Sequence, residues 1–227
     1  MFENLNKYDY KTTIKAETLP TGRTYFTPDG DYASITTLLG KTADKAWLQA
    51  WIDKVGEEEA RRVSKEATDR GTIVHEIAEH YFNGEDVTEE LAKQELVTAQ
   101  MTRNLIRSVS TGIEEIWGQE AVLWSKKLKY AGRSDMIGIW KGKPSIIDFK
   151  TSRRKKYVKQ IKDYFLQGTA YAFAHNEMYG TDIRNLAIVI TVENGEPQIF
   201  EASAVHHFSD LKNRIKQYRK MKNEGVI

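Results

Sequence analysis

The sequence predicts an α/β chain in which a helical N-terminal portion precedes a β-sheet. Apolar residues recur at helical spacing through most of the stretch from Asp44 to Ser110. The segment that follows reads as strands: Gly118 to Tyr130, then Ala131 to Lys150 folded back at Lys141-Gly142-Lys143-Pro144. A continuous apolar run from Arg184 to Glu193 suits an internal strand, and Asn194-Gly195 turns it into a partner over Gln198–Ala204.

The chain has 227 residues, 40% hydrophobic and 11% aromatic, which suits one domain with a sizeable core. Within it, a helical portion over about 30–115 would precede a sheet core over about 116–227. The absence of cysteine excludes disulfides, cysteine-ligated zinc and a cysteine-held iron–sulfur cluster. No run approaches a membrane span, and the opening MFENLNKYDYKTTIK has neither the apolar stretch of a secretory signal nor an Arg-rich transit pattern. The expectation is therefore a cytoplasmic protein, of a bacterial cell or a phage-infected host. Net charge is only +2, so a nucleic-acid surface would have to come from local clustering.

The elements follow in order. Residues up to about 30 are polar and turn-rich, with a tight turn at Thr27-Pro28-Asp29-Gly30. The short segment Ser34 to Leu39 is closed by Gly40, and a helix is expected from Asp44 to about Lys65. Trp47 and Trp51 lie four apart on one face of that helix and are expected in the core, with base stacking as the alternative. Arg70 to Phe82 continues as a helix with His75 and Glu79 on one face, ended by Asn83-Gly84. A second helix should span Glu85 to about Ser110, with Asp86 and Glu89 at capping-box spacing and Leu91, Leu96, Leu105 and Ile106 inward. Val158 to Tyr179 is expected as a helix with Ile161, Phe165, Ala172 and Phe173 as core, and Gln167 and Tyr171 one turn apart on its other face. Phe208 to Lys222 closes the chain as a helix with a basic outer face.

The chemistry concentrates between Ala131 and Lys150. Strand alternation puts Asp148 and Lys150 on one side and Ile147 and Phe149 on the other, with Asp135 in the preceding strand. Paired carboxylates suit Mg²⁺ or Mn²⁺, hard cations that take oxygen ligands, and a neighbouring ammonium can stabilise charge developing on a phosphodiester. Asp-x-Lys on its own is a weak signal, and His75 taken alone reads as a core histidine. The basic run Arg153-Arg154-Lys155-Lys156 directly follows this acidic stretch, where with Arg133 it could hold phosphates. Glu120 is a further acidic candidate.

Taken together, Gly71-x-x-x-His75-x-x-x-Glu79, Gly132-x-x-Asp135, Asp148-Phe149-Lys150 and Gln167-x-x-x-Tyr171 resemble the motifs of the PD-(D/E)XK nucleases, and among them the RecB-like exonucleases. The segment at Ser34 is similar to that of the mitochondrial genome maintenance exonuclease group and its phage and bacterial relatives. The resemblance covers about residues 25–175. It implies a mixed central sheet flanked by helices, the restriction-endonuclease-like core, behind an N-terminal helical cap. It also implies that Asp135, Asp148 and the backbone carbonyl of Phe149 bind Mg²⁺ or Mn²⁺, with His75 as an additional ligand and Glu120 and Glu79 as candidates for a second metal. Lys150 would act on the attacking water or the pentavalent charge. Gln167 and Tyr171 would orient the DNA strand or the catalytic lysine; Ser34 and Arg70 are further candidate DNA contacts, and charge placement adds Arg133, Arg153, Arg154 and Lys155. Members braced by an iron–sulfur cluster need cysteines this chain lacks.

The implied activity is a metal-dependent DNA exonuclease acting on single strands or strand ends in replication, recombination or repair, with a recombination or replication protein as candidate partner. Two alternatives stand beside it: a double-strand end resection exonuclease, and a non-catalytic nucleic-acid-binding module on the same fold.

Overall fold

The computed structural model describes residues 3–5, 7–10 and 13–227; the rest of the polar opening stretch lies outside the described residues. A two-residue strand β1 (Glu3–Asn4) is followed by an antiparallel meander, β2 (Ala16–Leu19), β3 (Gly22–Thr27) and β4 (Gly30–Ala33). The expected turn at Asp29-Gly30 is its second corner, with Gly30 at φ 132°. Five helices follow: α1 (Ile35–Thr42), α2 (Ala46–Val55), α3 (Glu57–Phe82), α4 (Thr88–Ala92) and α5 (Leu96–Ser110). The remainder is β5 (Ile113–Ser125), β6 (Tyr130–Trp140), β7 (Lys143–Ser152), α6 (Lys162–Tyr179), β8 (Asn185–Val192), β9 (Gln198–Ser203) and α7 (Ala204–Asn223).

The main sheet has the order β1-β5-β6-β7-β8-β9 and is mixed. β5, β6 and β7 form an antiparallel meander, β7 and β8 run parallel through the α6 crossover, and β9 returns antiparallel on β8. Helices cover both faces, as the resemblance implied. On one side α1, α6 and α7 pack Ile35, Leu38, Phe165, Ala170, Leu211 and Ile215 against Ile137, Ile146, Ile188 and Ile190. On the other, α3 and α5 pack Val74, Ala78, Phe82, Met101 and Leu105 against Met136, Ile147, Phe149, Ala187 and Val189. Residues of β8 thus alternate between two cores, which explains its unbroken apolar run.

Several local expectations are revised. The stretch from Asp44 does not run as one helix: Gly56 at φ 87° ends α2, and α3 begins on Glu57, Glu58 and Glu59, whose charges suit a helix N-terminus. Because α2 is broken away from the helix that reaches the sheet, none of its residues is buried, and Trp47 is 70% exposed instead of in the core. The helix expected over Glu85–Ser110 is two, and Leu96, first residue of α5, is exposed. Ser34 to Leu39 opens α1, which runs through Gly40. No helix among the described residues is long and apolar enough to cross a membrane.

Candidate active site

The site lies where the sheet splits. β6 and β7 pair from the Lys143–Trp140 turn only as far as Met136 opposite Ile147. Beyond that point β6 stays with β5, down to Tyr130 opposite Ser125, while β7 stays with β8, out to Ser152 opposite Val192. Asp135 is the first residue of β6 past the split, and Asp148 and Lys150 are the first residues of β7 past it that share a face. A hydrogen bond spans the fork: Asp135 Oδ2 accepts from the Phe149 N–H at 2.6 Å.

Groups from both helical layers meet there. His75 on α3 brings Nδ1 to 3.5 Å from Asp135 Oδ1, its ring edge-on to Phe149 at 5.9 Å between centroids. Lys150 Nζ lies 2.5 Å from Asp148 Oδ2 and 5.2 Å from the centroid of Tyr164, in the first turn of α6. Glu120 enters from β5: Gln119 pairs with Met136 and Ala121 with Ser134, so Glu120 stands across from Asp135. Its backbone holds φ 47°, a conformation a non-glycine residue adopts at a cost of about 1–3 kcal/mol unless its surroundings enforce it. His75, Glu120 and Asp135 each present a ligand atom within 4.8 Å of the others.

The electrostatics follow from burial and this crowding. Burial works against ionising Asp135, but His75, Lys150 and the Phe149 N–H outweigh it and hold the carboxyl below its ordinary range. Asp148 has no exposed surface, and burial pushes it up to about 6 despite Lys150. Lys150 is raised: burial disfavours the ammonium, but Asp148 and Asp135 prevail. His75 is raised as well, burial being overcome by Asp135. Burial, then the charges of Asp135 and Glu79, push Glu120 up to about 7.

Asp148 Oδ1 has no hydrogen-bond partner among the described residues, while Oδ2 faces the Lys150 ammonium at 2.5 Å. A buried acceptor left without a donor is costly unless a cation or water meets it. The donor set of carboxylates, one imidazole and no sulfur fits a hard divalent ion. The expected ligands are therefore assembled, but they divide. Asp135 and His75 cluster with Glu120, while Asp148 stands beside them, turned to Lys150. Glu79, one turn beyond His75 on α3, is half-buried and outside the cluster.

Among the expected DNA contacts, three are buried or already paired. Ser34 is 2% exposed, its Oγ accepts the Thr37 N–H at 2.9 Å as the N-cap of α1, and its backbone bridges Ala131 of β6. Tyr171 is 2% exposed and offers no open ring; it accepts a hydrogen bond from Gln167 Nε2 at 3.1 Å and packs over Gly132. Arg70 is tied to Glu193 at 2.8 Å with its side chain 19% exposed, so its charge is already matched. Arg133 is exposed beside Glu120 at 3.4 Å, and Arg153, Arg154 and Lys155 are exposed past the end of β7, with Arg153 Nε 3.7 Å from Glu193.

Sequence reasoning did not single out Tyr164 or Glu193. Tyr164 lies three residues before Gln167, close enough to the same helix face to have been noticed; Glu193 ends an apolar strand, and only the parallel pairing of β7 with β8 brings it to Arg70 and Arg153.

A family model described as the PD-(D/E)XK nuclease superfamily matches residues 45–226, which takes in every residue of the fork. The chain is 24% identical over 216 residues to mitochondrial genome maintenance exonuclease 1 of Homo sapiens, covering 85% of this chain and 60% of that protein. The Xenopus tropicalis protein of the same name is 24% identical over 210 residues, covering 86% and 60%. The Mus musculus protein is 31% identical over 108 residues, 46% of this chain and 30% of its own length. The chain thus spans about 60% of the length of the first two relatives. With the split sheet, its acidic cluster and its lysine already placed, the match over most of the chain settles the lineage: the chain belongs to the PD-(D/E)XK nuclease superfamily.

Proposed function

We propose that the protein is a Mg²⁺- or Mn²⁺-dependent exonuclease that hydrolyses phosphodiester bonds of DNA, on single strands or strand ends, in replication, recombination or repair. The observation that carries the reading is the buried Asp148 carboxylate, paired with Lys150 and with Oδ1 left without a donor, at a fork where Asp135, His75 and Glu120 converge. The exonuclease assignment draws on the relatives named as exonucleases. Nucleases of this superfamily use divalent metals.

In this reading Asp135, Asp148, His75 and the Phe149 carbonyl hold the ion, and Glu120 stands ready on the other side of Asp135. When bound, the ion supplies charge neutralisation and an acidified water. Lys150 keeps its ammonium, because Asp148 and Asp135 hold its proton. It is therefore a donor for the non-bridging oxygens as negative charge grows on the phosphorus. Tyr164 beneath Nζ limits where that ammonium can point. The Phe149 N–H fixes Asp135 so that its other oxygen remains for His75 and the ion. Gln167, bonded to buried Tyr171, is placed to orient the strand.

The test is cleavage of an end-labelled linear single strand beside its circular form and a blunt duplex, with Mg²⁺, Mn²⁺ or EDTA. Metal-dependent loss of the linear strand, absent in Lys150→Ala, is expected. Cleavage in EDTA, or an active Lys150→Ala, would refute the assignment.

A further inference from the structure

We propose that the loop joining β7 to α6 is a platform for single-stranded nucleic acid, on which Tyr157 stacks against a base while neighbouring cations hold the flanking phosphates. The inference deepens the nuclease reading by naming how a strand would be held next to the fork.

Charge comes first. Between positions 153 and 162 the chain carries Arg153, Arg154, Lys155, Lys156, Lys159 and Lys162 and no acid, in a protein whose net charge is only +2. Most of these cations are exposed, and among the described residues only Arg153 has a carboxylate at hand, Glu193 at 3.7 Å. In the middle of this run sits Tyr157, 69% exposed, followed by Val158, 59% exposed. A protein partner would want a broader apolar patch with fewer charges. A polyanion that presents aromatic faces fits both features, and duplex DNA keeps those faces hidden in its stack.

The loop is also held still. The Lys156 N–H donates to Gln198 Oε1 at 2.7 Å, and Gln198 Nε2 donates back to the Lys156 carbonyl at 2.9 Å. The Tyr157 N–H donates to Gln160 Oε1 at 2.8 Å, and the Gln160 N–H donates to the Tyr157 carbonyl at 2.8 Å. An exposed ring on a backbone clamped from both sides loses little freedom on binding. Position completes the case. The loop leaves β7 two residues after Lys150 and enters α6 two residues before Tyr164, whose ring lies under the Lys150 ammonium. Both ends of the platform are therefore tied to the fork.

The experiment is fluorescence anisotropy of a labelled single-stranded oligonucleotide in EDTA, titrated with wild type, Tyr157→Ala, Tyr157→Leu and Tyr157→Phe at several salt concentrations. Tyr157→Ala and Tyr157→Leu are expected to bind about five- to a hundredfold more weakly, and Tyr157→Phe to recover wild-type affinity. Their salt dependence should match that of wild type, whereas Lys155→Ala should lower the logarithmic slope by ~0.7. Leucine restoring full affinity, alanine binding as tightly as wild type, or an equal loss on a blunt duplex would overturn the platform. Binding is read without metal, so a wild type that fails to cleave the strand with Mg²⁺ or Mn²⁺ would sink the nuclease reading while leaving the platform to be judged by its own titration.

Discussion

Replacing Asp148 with asparagine should change how stability depends on pH in a defined direction. Asp148 has no exposed surface, and its folded-state pKa is about 6 against an ordinary 3.8. The group is an acid with a raised pKa, so the folded protein binds its proton more readily than the unfolded chain. Stability contributed by that proton is fully present below about 3.8 and is lost as pH rises to about 6. At 1.36 kcal/mol per pH unit the interval amounts to roughly 3 kcal/mol. Asparagine cannot titrate, so the stability of wild type minus that of Asp148→Asn should fall by roughly 2.5 kcal/mol of this between pH 4 and pH 7.5, in EDTA. The Lys150 attraction acts on the ionised carboxylate and is already contained in the Asp148 shift. The assay is urea denaturation followed by circular dichroism at each pH, accepted where the two proteins share an m-value. A difference that stays flat within about 1 kcal/mol would mean that Asp148 is not desolvated as the fold requires, and the argument for an ion at its open Oδ1 would go with it.

Other outcomes follow from single contacts. Lys150→Arg should lose activity on the order of a hundredfold or more, since a planar guanidinium cannot occupy the ammonium's position between Asp148 and Tyr164; near-normal cleavage would refute the role. A Cβ at Gly132 would sit 2.7 Å from the buried Tyr171 ring and 3.1 Å from Ile35, so Gly132→Ala should cost about 1–3 kcal/mol in denaturation. Gly71→Ala meets only Thr151 Oγ1 at 3.5 Å and sits inside α3, so it should be neutral or gain up to ~1 kcal/mol; equal costs at both glycines would contradict the packing. His175, fully buried between Tyr10 at 2.9 Å and Thr181 at 2.7 Å, is pushed down to about 4 by burial. Its unfolded form takes a proton first, so stability should drop as pH falls from 6.5 to about 4, by roughly 3 kcal/mol, and His175→Gln should flatten that arm.

Much of the fold was legible because its signals are local. The β8 run, the Asn194-Gly195 hairpin with Asn194 at φ 54°, and the Lys141-Gly142 turn at φ 47° and 74° all sit where their chemistry places them. The meander β2–β4 was not legible, because within its short, polar strands only Tyr25, Thr27 and Tyr32 are buried. The Trp47–Trp51 pair misled for a different reason. Helical spacing reports which residues share a face, but not whether anything covers it, and the break at Gly56 leaves that face uncovered.

The site shows the same limit at higher resolution. Alternation placed Asp148 and Lys150 on one face, and they meet at 2.5 Å. Spacing could not say which strand pair would part, yet the parting creates the site. β6 and β7 separate after Met136 and Ile147 because each then follows its outer neighbour, and both choices depend on pairings set by other strands. Glu120 illustrates the consequence. In sequence it is one acid near a strand start, fifteen positions before Asp135; in the sheet, register sets it directly across from Asp135 and next to His75. The left-handed backbone at Glu120 is an expense within a strand, and it falls at the one β5 position whose side chain joins that cluster. An open Oδ1 on buried Asp148 and a carboxyl pushed up to about 7 at Glu120 are costs of crowding acids at the fork, and positive charge brought there would lower both.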